Sequence, residues 1–325
     1  MQQIDWSRMD YGILLLVFLA FLYLYLLPTL IALQRGHHRF WVILALNIPL
    51  MIVQSALLQY LSPVNPQGLP PAEILWVAFL YCMGPGWVAL LVWALRPVNS
   101  PDPRLIAFRG TKMADLLGGL PLLAWFAFSA LSQRAFLVHD ISTLIAGQGG
   151  LVVLLRVLSL IFSILFCLLT VWLLLVRDTA VKRIGGVLPR LCAVGGTFLG
   201  VAMLRLPVAE LGLPLQALSF LLTGLGGLSS FLVLSKLGKS FSIVPEARKL
   251  VTTGPYAWAR HPLYAAEIVT LLGVMILYQQ PWATLMGLGV IALQITRSIF
   301  EERLLIEAFP EYVAYRARVK RFGFI

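Results

Sequence analysis

Residues 151–176 read LVVLLRVLSLIFSILFCLLTVWLLLV, and Arg156 is the only charged side chain in the run. Coiled as an α-helix, the stretch is about 39 Å long, more than the ~30 Å hydrocarbon thickness of a bilayer. Uninterrupted apolar length of this kind predicts a transmembrane helix, because lipid accepts a backbone only when its polar groups are satisfied internally. The signature recurs along the chain. Of 325 residues, 60% are hydrophobic and 12% are charged, with a mean hydropathy of +0.88. A soluble fold is excluded, and the expected class is all-α: a polytopic transmembrane helical bundle.

Nine spans are expected, at about 11–33, 40–61, 73–95, 114–132, 151–176, 187–206, 211–235, 262–279 and 282–300. Turn chemistry separates them, including Gly36, the loop from Pro63 to Pro71, Gly147 to Gly150, Gly185-Gly186 and Gln279-Gln280-Pro281. The last break is tight and predicts a helical hairpin. The run after Tyr11 is too long for a signal-peptide core and lacks a small-residue cleavage site, so it is expected to remain as a helix. Two modules follow from the spacing: four helices over 1–135, and a five-helix core with a C-terminal amphipathic helix over 150–325.

The formal charge of +11 does not indicate nucleic acid, because Lys and Arg are confined to short loops between apolar runs. They alternate in sign of side: Arg96, Arg104 and Lys112, then Arg177, Lys182 and Arg183, then Lys236, Lys239, Arg248, Lys249 and Arg260 fall on one face of the membrane. That face is expected to be cytoplasmic, with the N-terminus outside and the C-terminus inside. The expected location is the bacterial inner membrane. Cys82, Cys167 and Cys192 lie in apolar runs without metal or disulfide spacing, and the histidines have no ligand spacing, so no metal is expected. Arg156 and Arg205 are read as side chains that snorkel to the interface. Gly195, Gly196 and Gly200, with Gly224, Gly226 and Gly227, are read as helix-packing positions.

Against this apolar background, one cluster of polar residues demands a purpose. Gly254-Pro255-Tyr256-Ala257-Trp258-Ala259-Arg260-His261-Pro262-Leu263-Tyr264 precedes the eighth span, and Glu301-Glu302 ends the ninth. Pro262 suits the first turn of a helix, which puts His261 at its N-terminus, where unpaired amides and the helix dipole favour an anionic group. Arg260 and His261 add donors, while Tyr256 and Tyr264 offer flat faces or hydroxyls. A hairpin at Pro281 returns Arg297, Glu301 and Glu302 beside that helix start. Arg297 and Glu301, four apart, form either a local ion pair or part of the pocket wall. Such a pocket suits a zwitterionic cofactor with an aromatic ring and a positive centre.

The order Gly-Pro-Tyr-x-x-x-Arg-His-Pro-x-Tyr, hairpin, Glu-Glu and Phe-x-x-Tyr-x-x-Tyr, together with Leu237-Gly238-Lys239-Ser240-Phe241-Ser242 and Leu250-Val251-Thr252, resembles the integral-membrane methyltransferases related to isoprenylcysteine carboxyl methyltransferase and phospholipid N-methyltransferases. The resemblance covers about residues 236–325. It implies S-adenosylmethionine as cofactor, held by Leu250, Val251, Gly254, Tyr256, His261, Pro262, Tyr264, Glu301 and Glu302. It also implies a lipid or lipid-modified acceptor in the bilayer. Arg260 or Arg297 would position a carboxylate acceptor, the favoured chemistry. A lipid amine would need a base, for which Glu302 and the intramembrane Glu267 are candidates. Pro310 stands where the family has Gly, and the tail ends Phe322-Gly323-Phe324-Ile325 without its usual proline.

The N-terminal segment from Leu26 to His37, with Leu46-Asn47 and the run from Gly86 to Leu95, resembles small superinfection-immunity-type membrane proteins. Two alternatives stand beside the methyltransferase. One is a sterol-type reductase with a nicotinamide cofactor; the other is a non-catalytic immunity or interaction protein. The intact set Arg260, His261, Tyr264, Glu301 and Glu302 argues against the second. Past the ninth span, Leu305, Ala308, Phe309, Tyr312 and Val319 share one face of an amphipathic helix that Pro310 starts anew or kinks.

Overall fold

The computed structural model describes residues 27–37, 39–47, 85–95, 98, 102–184, 188–203 and 206–323. Residues 11–26 of the first span and most of the second and third lie outside these residues, as does Arg205. Two compact units are resolved, Met1–Trp125 and Phe126–Ile325.

In the first unit, α1 (Leu27–Gln34), the helical residues 40–47, α2 (Pro85–Leu95) and α3 (Pro103–Arg109) surround a small core of Ala32, Phe40, Ile43, Ala94 and Leu105. Gly36, at φ 62°, turns the chain after α1 in a conformation that a side chain would strain. Its carbonyl accepts from the Asp102 amide at 2.9 Å. Asn47 donates to Thr29 Oγ1 at 3.0 Å, so this buried amide is held by a hydroxyl within the unit.

Helix α4 (Lys112–Ile145) contains the boundary between the units. It runs well past residue 132, where the sequence placed the end of the fourth span. The reason is visible in its last turns: Asp140, 2% exposed, accepts from Arg156 Nε at 2.5 Å and from the same guanidinium through Nη2. Arg156 therefore belongs to an ion pair between α4 and α5 (Leu151–Val176), a partner that the snorkelling expectation did not include.

The remaining helices are α6 (Leu188–Met203), α7 (Leu213–Leu237), α8 (Pro262–Leu277), α9 (Trp282–Ala308) and α10 (Tyr312–Arg318). By length and composition, three helices among the described residues can cross a membrane: Leu151–Val176, Leu213–Ser240 and Trp282–Ala308. A fourth is added if the bent pair Lys112–Leu120 and Leu122–Ile145 acts as one span. At sixteen residues, α8 is shorter than the span drawn for it, although it is apolar.

Glycine explains why α7 packs closely on both sides. A Cβ on Gly224 would lie 3.7 Å from the Ser159 backbone of α5, whereas one on Gly226 would collide with Thr270 of α8. From the other side, a Cβ on Gly273 would sit 2.6 Å from the Ser219 carbonyl. Ser219 Oγ uses this approach to donate to the Gly273 carbonyl at 2.7 Å. Gly195 and Gly196 of α6 likewise receive Leu293 of α9. Of the glycines that the sequence marked for packing, Gly224 and Gly226 bring backbones together, as small residues do between membrane helices, while Gly195 and Gly196 make room for a side chain.

A two-stranded ribbon, β1 (Lys182–Arg183) with β2 (Glu246–Ala247), ties the segment after α5 to the segment before α8. Its register sets Arg183 against Glu246 and Lys182 against Ala247. At the far end of the bundle the Ala209 amide donates to the Leu277 carbonyl at 2.9 Å, and Pro281 begins α9.

Candidate active site

About 20 residues of helix cross the hydrocarbon, so an α9 that enters at Trp282 completes its crossing near Glu301. The site forms at that level, where α8 starts, α9 leaves the apolar layer and the loop from Phe241 to Arg260 folds over both.

The loop is shaped by a short 3-10 turn, Gly254–Ala257. Gly254 has φ 63°, which an L side chain would strain, and Pro255 fixes the following residue. His261 is the N-cap of α8, with Pro262 in the first turn, as the sequence predicted. Its amide, however, does not await a ligand. It donates to the Arg321 carbonyl at 2.9 Å, and the Arg260 amide donates to the Lys320 carbonyl at the same distance. The C-terminal tail thus occupies the helix start that the sequence reading offered to an anion.

Beside this junction lies an open-sided cleft. Leu250, Val251, Tyr256, Arg260, His261, Tyr264, Arg297 and Glu301 all line it. Gly254 and Pro262 shape its frame but do not line it. Tyr264 donates to Glu301 Oε1 at 2.5 Å, and Arg297 Nε donates to the same oxygen at 3.0 Å. The Arg297 guanidinium also lies over the Tyr264 ring at 5.1 Å and donates to the Ser242 carbonyl at 3.2 Å. Tyr264 stacks in parallel on His261 at 5.4 Å. The i,i+4 pair read from the sequence is thus part of a network joining α8, α9 and the loop.

Glu302 faces elsewhere. It is 3% exposed and does not line the cleft. Arg321 grips it with two bonds, at 2.8 and 3.0 Å, while Arg260 lies 3.4 Å and His261 Nε2 3.3 Å from Oε1. Arg316 approaches at 3.7 Å. The hydrogen bond to Glu302 raises the Arg321 guanidinium pKa further and keeps it charged. Helix α10 is seated by the same neighbourhood: Tyr315 donates to the Tyr256 carbonyl at 2.6 Å. Burial pushes the Tyr315 phenol up to about 12, with Arg260 opposing and Glu302 reinforcing the shift, so the hydroxyl remains a donor. Pro310 does break the helix here, since α9 ends at Ala308 and α10 begins at Tyr312.

One cleft residue carried no sequence signal. Glu246 accepts from Ser242 Oγ at 3.0 Å and from Arg248 at 2.5 Å, because the β-ribbon register fixes it there. Tyr312 lines the cleft and is 1% exposed. Its hydroxyl has no hydrogen-bond partner among the described residues, and neither does Arg260 Nε, also buried. Glu267 lies deeper, in a separate cavity, where Gln294 donates to it at 2.9 Å. Among the described residues, no group of three or more His, Cys, Asp or Glu side chains could hold a metal ion.

Residues 214–312 match the family described as phospholipid methyltransferase. That match, with the yeast methyltransferase relative that follows, supports the integral-membrane methyltransferase family for the region. The protein-S-isoprenylcysteine O-methyltransferase of Saccharomyces cerevisiae is 32% identical over 109 residues, 31% of this chain and 46% of that protein. The cobalt-zinc-cadmium resistance protein CzcN of Cupriavidus metallidurans is 36% identical over 74 residues, 22% of this chain and 34% of that protein. The chain therefore spans less than half the length of either curated relative. Residues 24–50 match the superinfection immunity protein family, which covers the Leu26 to His37 and Leu46-Asn47 part of the resemblance but not the run from Gly86 to Leu95. No solved structure matches the chain.

Proposed function

We propose that this protein transfers methyl groups from S-adenosylmethionine to a lipid-like acceptor held in the membrane. The observation that supports this reading is the opposition of groups in one cleft. Buried Arg260 Nε and Tyr312 Oη lack partners among the described residues, and the carboxylates of Glu301 and Glu246 line the same space. Unmatched buried donors beside carboxylates are costly unless a ligand brings an acceptor and a cation together. S-adenosylmethionine carries a carboxylate, an ammonium, a sulfonium and an aromatic base, and the cleft sets donors, carboxylates and aromatic faces around one space.

In this reading Arg260 and Tyr312 bind the amino-acid carboxylate, and Glu301 faces positive charge, held in place by Tyr264 and Arg297. Leu250, Val251, Tyr256 and His261 wall the ring. When bound, the cofactor supplies a methyl group made electrophilic by a positive sulfur. The protein's own task is then alignment in a site from which water is excluded. Leu304, Leu305 and the seated α10 close one side of the cleft against water. Glu302 serves as the anchor that fastens the tail, rather than as a reacting group. The site faces the cytoplasm if the loop charges orient the chain as expected.

The test is transfer itself. Membranes of the source cells, with and without the protein, are supplied with methyl-tritiated S-adenosylmethionine and extracted. Label in the extracted lipid or lipid-modified fraction that requires the protein is the expected result. Equal labelling with and without it contradicts the proposal.

A further inference from the structure

The C-terminal tail has an inner and an outer side. Its inner side is held within the protein: Tyr312 and Tyr315 are buried, Tyr315 donates to the Tyr256 carbonyl, and Arg321 grips Glu302. These bonds also fix its height. Glu302 lies just past the point where α9 completes its crossing, and the carbonyls of Lys320 and Arg321 accept from the amides of Arg260 and His261 at the start of α8. The chain beyond α10 therefore runs at the level of the lipid head groups. Trp258 is beside it, since a Cβ on Gly323 would lie 3.7 Å from the Trp258 carbonyl oxygen.

What faces outward there is aromatic, apolar and basic. Trp258 is 83% exposed and Val313 of α10 is 58% exposed. Trp258 belongs to a loop rather than to an apolar helix, and a tryptophan at head-group level has an apolar body for the lipid and an indole N–H for its polar groups. Arg318 and Lys320 are exposed, and neither has an ion pair among the described residues. Lys236, exposed at the end of α7, reaches the turn that leads to Trp258: a Cβ on Gly254 would lie 3.9 Å from its Cγ. Nearby acids do not cancel this charge. Glu302 is sealed under Arg321, Glu307 pairs with Lys182 at 2.8 Å, and Glu311 lies about two helical turns from Arg318.

We propose that Trp258, Arg318 and Lys320 form a docking surface for the head groups of anionic phospholipids, and that the bilayer thereby holds the tail closed from outside as Glu302 holds it from inside. The lipid is a partner here and not a methyl acceptor. Its phosphodiester charge is the group recognised, and none of the three residues lines the cleft. The inference therefore stands apart from the methyltransferase reading. Each basic residue close to an anionic surface strengthens association several-fold, and salt screens the attraction. In a neutral bilayer the tail keeps its inner bonds alone, so it opens to protease more often.

The experiment places the full chain in nanodiscs of phosphatidylcholine, with or without phosphatidylglycerol, which has neither an amine nor a carboxylate to methylate. Trace phosphatidylglycerol and phosphatidylcholine probes, each with a photoreactive diazirine close to the head group, are cross-linked and the adducts mapped by mass spectrometry. Adducts from the anionic probe are expected on the segments around Trp258 and Arg318, about tenfold above those from the neutral probe. The double change Arg318→Gln with Lys320→Gln is expected to reduce them about tenfold and Trp258→Ala several-fold, with melting on the same samples showing the variants folded. High salt is expected to remove the preference in the unaltered protein, which tests the charge without any substitution. Arg104→Gln, which removes an exposed basic residue elsewhere, is expected to change nothing. Limited proteolysis is expected to release the tail more slowly in the anionic discs. Equal adducts from the two probes, adducts that ignore both the substitutions and salt, or tail release at the same rate in both bilayers would overturn the inference. Cross-links joining the Trp258 segments of two copies in place of lipid adducts would overturn it as well and assign the surface to a second copy.

Discussion

Replacing Glu302 by Gln tests whether the acidic pair divides its labour, one carboxylate serving the cleft and the other fastening the tail. Glutamine keeps the volume and one acceptor, so the change removes charge with little change of shape. In the native site the carboxylate takes two charge-assisted bonds from Arg321 and lies within 3.4 Å of Arg260 and His261. Breaking a fully buried ion pair costs about 3–5 kcal/mol. The full penalty does not apply, because the side chains of Arg321 and Arg316 are 27% and 50% exposed and can rehydrate. Arg260, 11% exposed, keeps most of its burial without its counter-charge. The expected loss is then about 2–3 kcal/mol, between a single charged hydrogen bond and a broken buried pair. For a unit of about 200 residues this corresponds to a fall in Tm of roughly 4–12 °C. Cys167 and Cys192 are free and buried, so a thiol-reactive dye reports the melt in detergent. Limited proteolysis should release the segment after α9 sooner in the variant. A Tm within about 1 °C of wild type with an equally protected tail would refute the anchoring role. Loss of cofactor binding at unchanged Tm would move Glu302 back into the cofactor site.

Other consequences follow from the same geometry. Glu301→Gln and His261→Ala are each expected to weaken S-adenosylmethionine binding about tenfold or more in calorimetry with the fold retained, and unchanged affinity in both would show that the cleft is wrongly assigned. Tyr264→Phe removes the hydroxyl bond to Glu301 and should weaken the same binding less, by a few-fold, because Arg297 still holds the carboxylate. Gly273→Ala places a methyl 2.6 Å from the Ser219 carbonyl, so α7 and α8 must separate, and overpacking of this kind costs about 1–3 kcal/mol in the same melting assay; an unchanged Tm would show that the helices are not so close. Arg156→Met strands the buried Asp140 carboxylate and should destabilise more than the double change with Asp140→Leu, whereas an equal or greater loss in the double variant would deny the pairing.

Features that depend on local chemistry were legible in the sequence. Pro262 after His261 announces a helix start, the Gln279-Gln280-Pro281 break announces a hairpin, and Pro310 announces the end of a helix, because each acts through its own backbone. The glycines of α6 and α7 were legible as packing sites for a related reason, since a missing Cβ matters only where another helix approaches. Long-range pairing was not legible. Arg321 meets Glu302, and Asp140 meets Arg156, through turns whose geometry no local spacing encodes. Glu246 enters the cleft only because a two-residue ribbon sets its register, too short to leave an alternating pattern. His261 shows the limit most clearly: its place at a helix start was readable, but the tail carbonyl that satisfies its amide was not.

The central claim is that the cleft between the loop, α8, α9 and α10 binds S-adenosylmethionine. Titration calorimetry on the purified protein with S-adenosylmethionine, its demethylated product and a reduced nicotinamide dinucleotide tests it most directly. The account predicts one saturable site for both sulfur ligands, weakened by Arg260→Ala, and no heat from the dinucleotide. Binding of the dinucleotide alone, with neither sulfur ligand bound by folded protein, would contradict it.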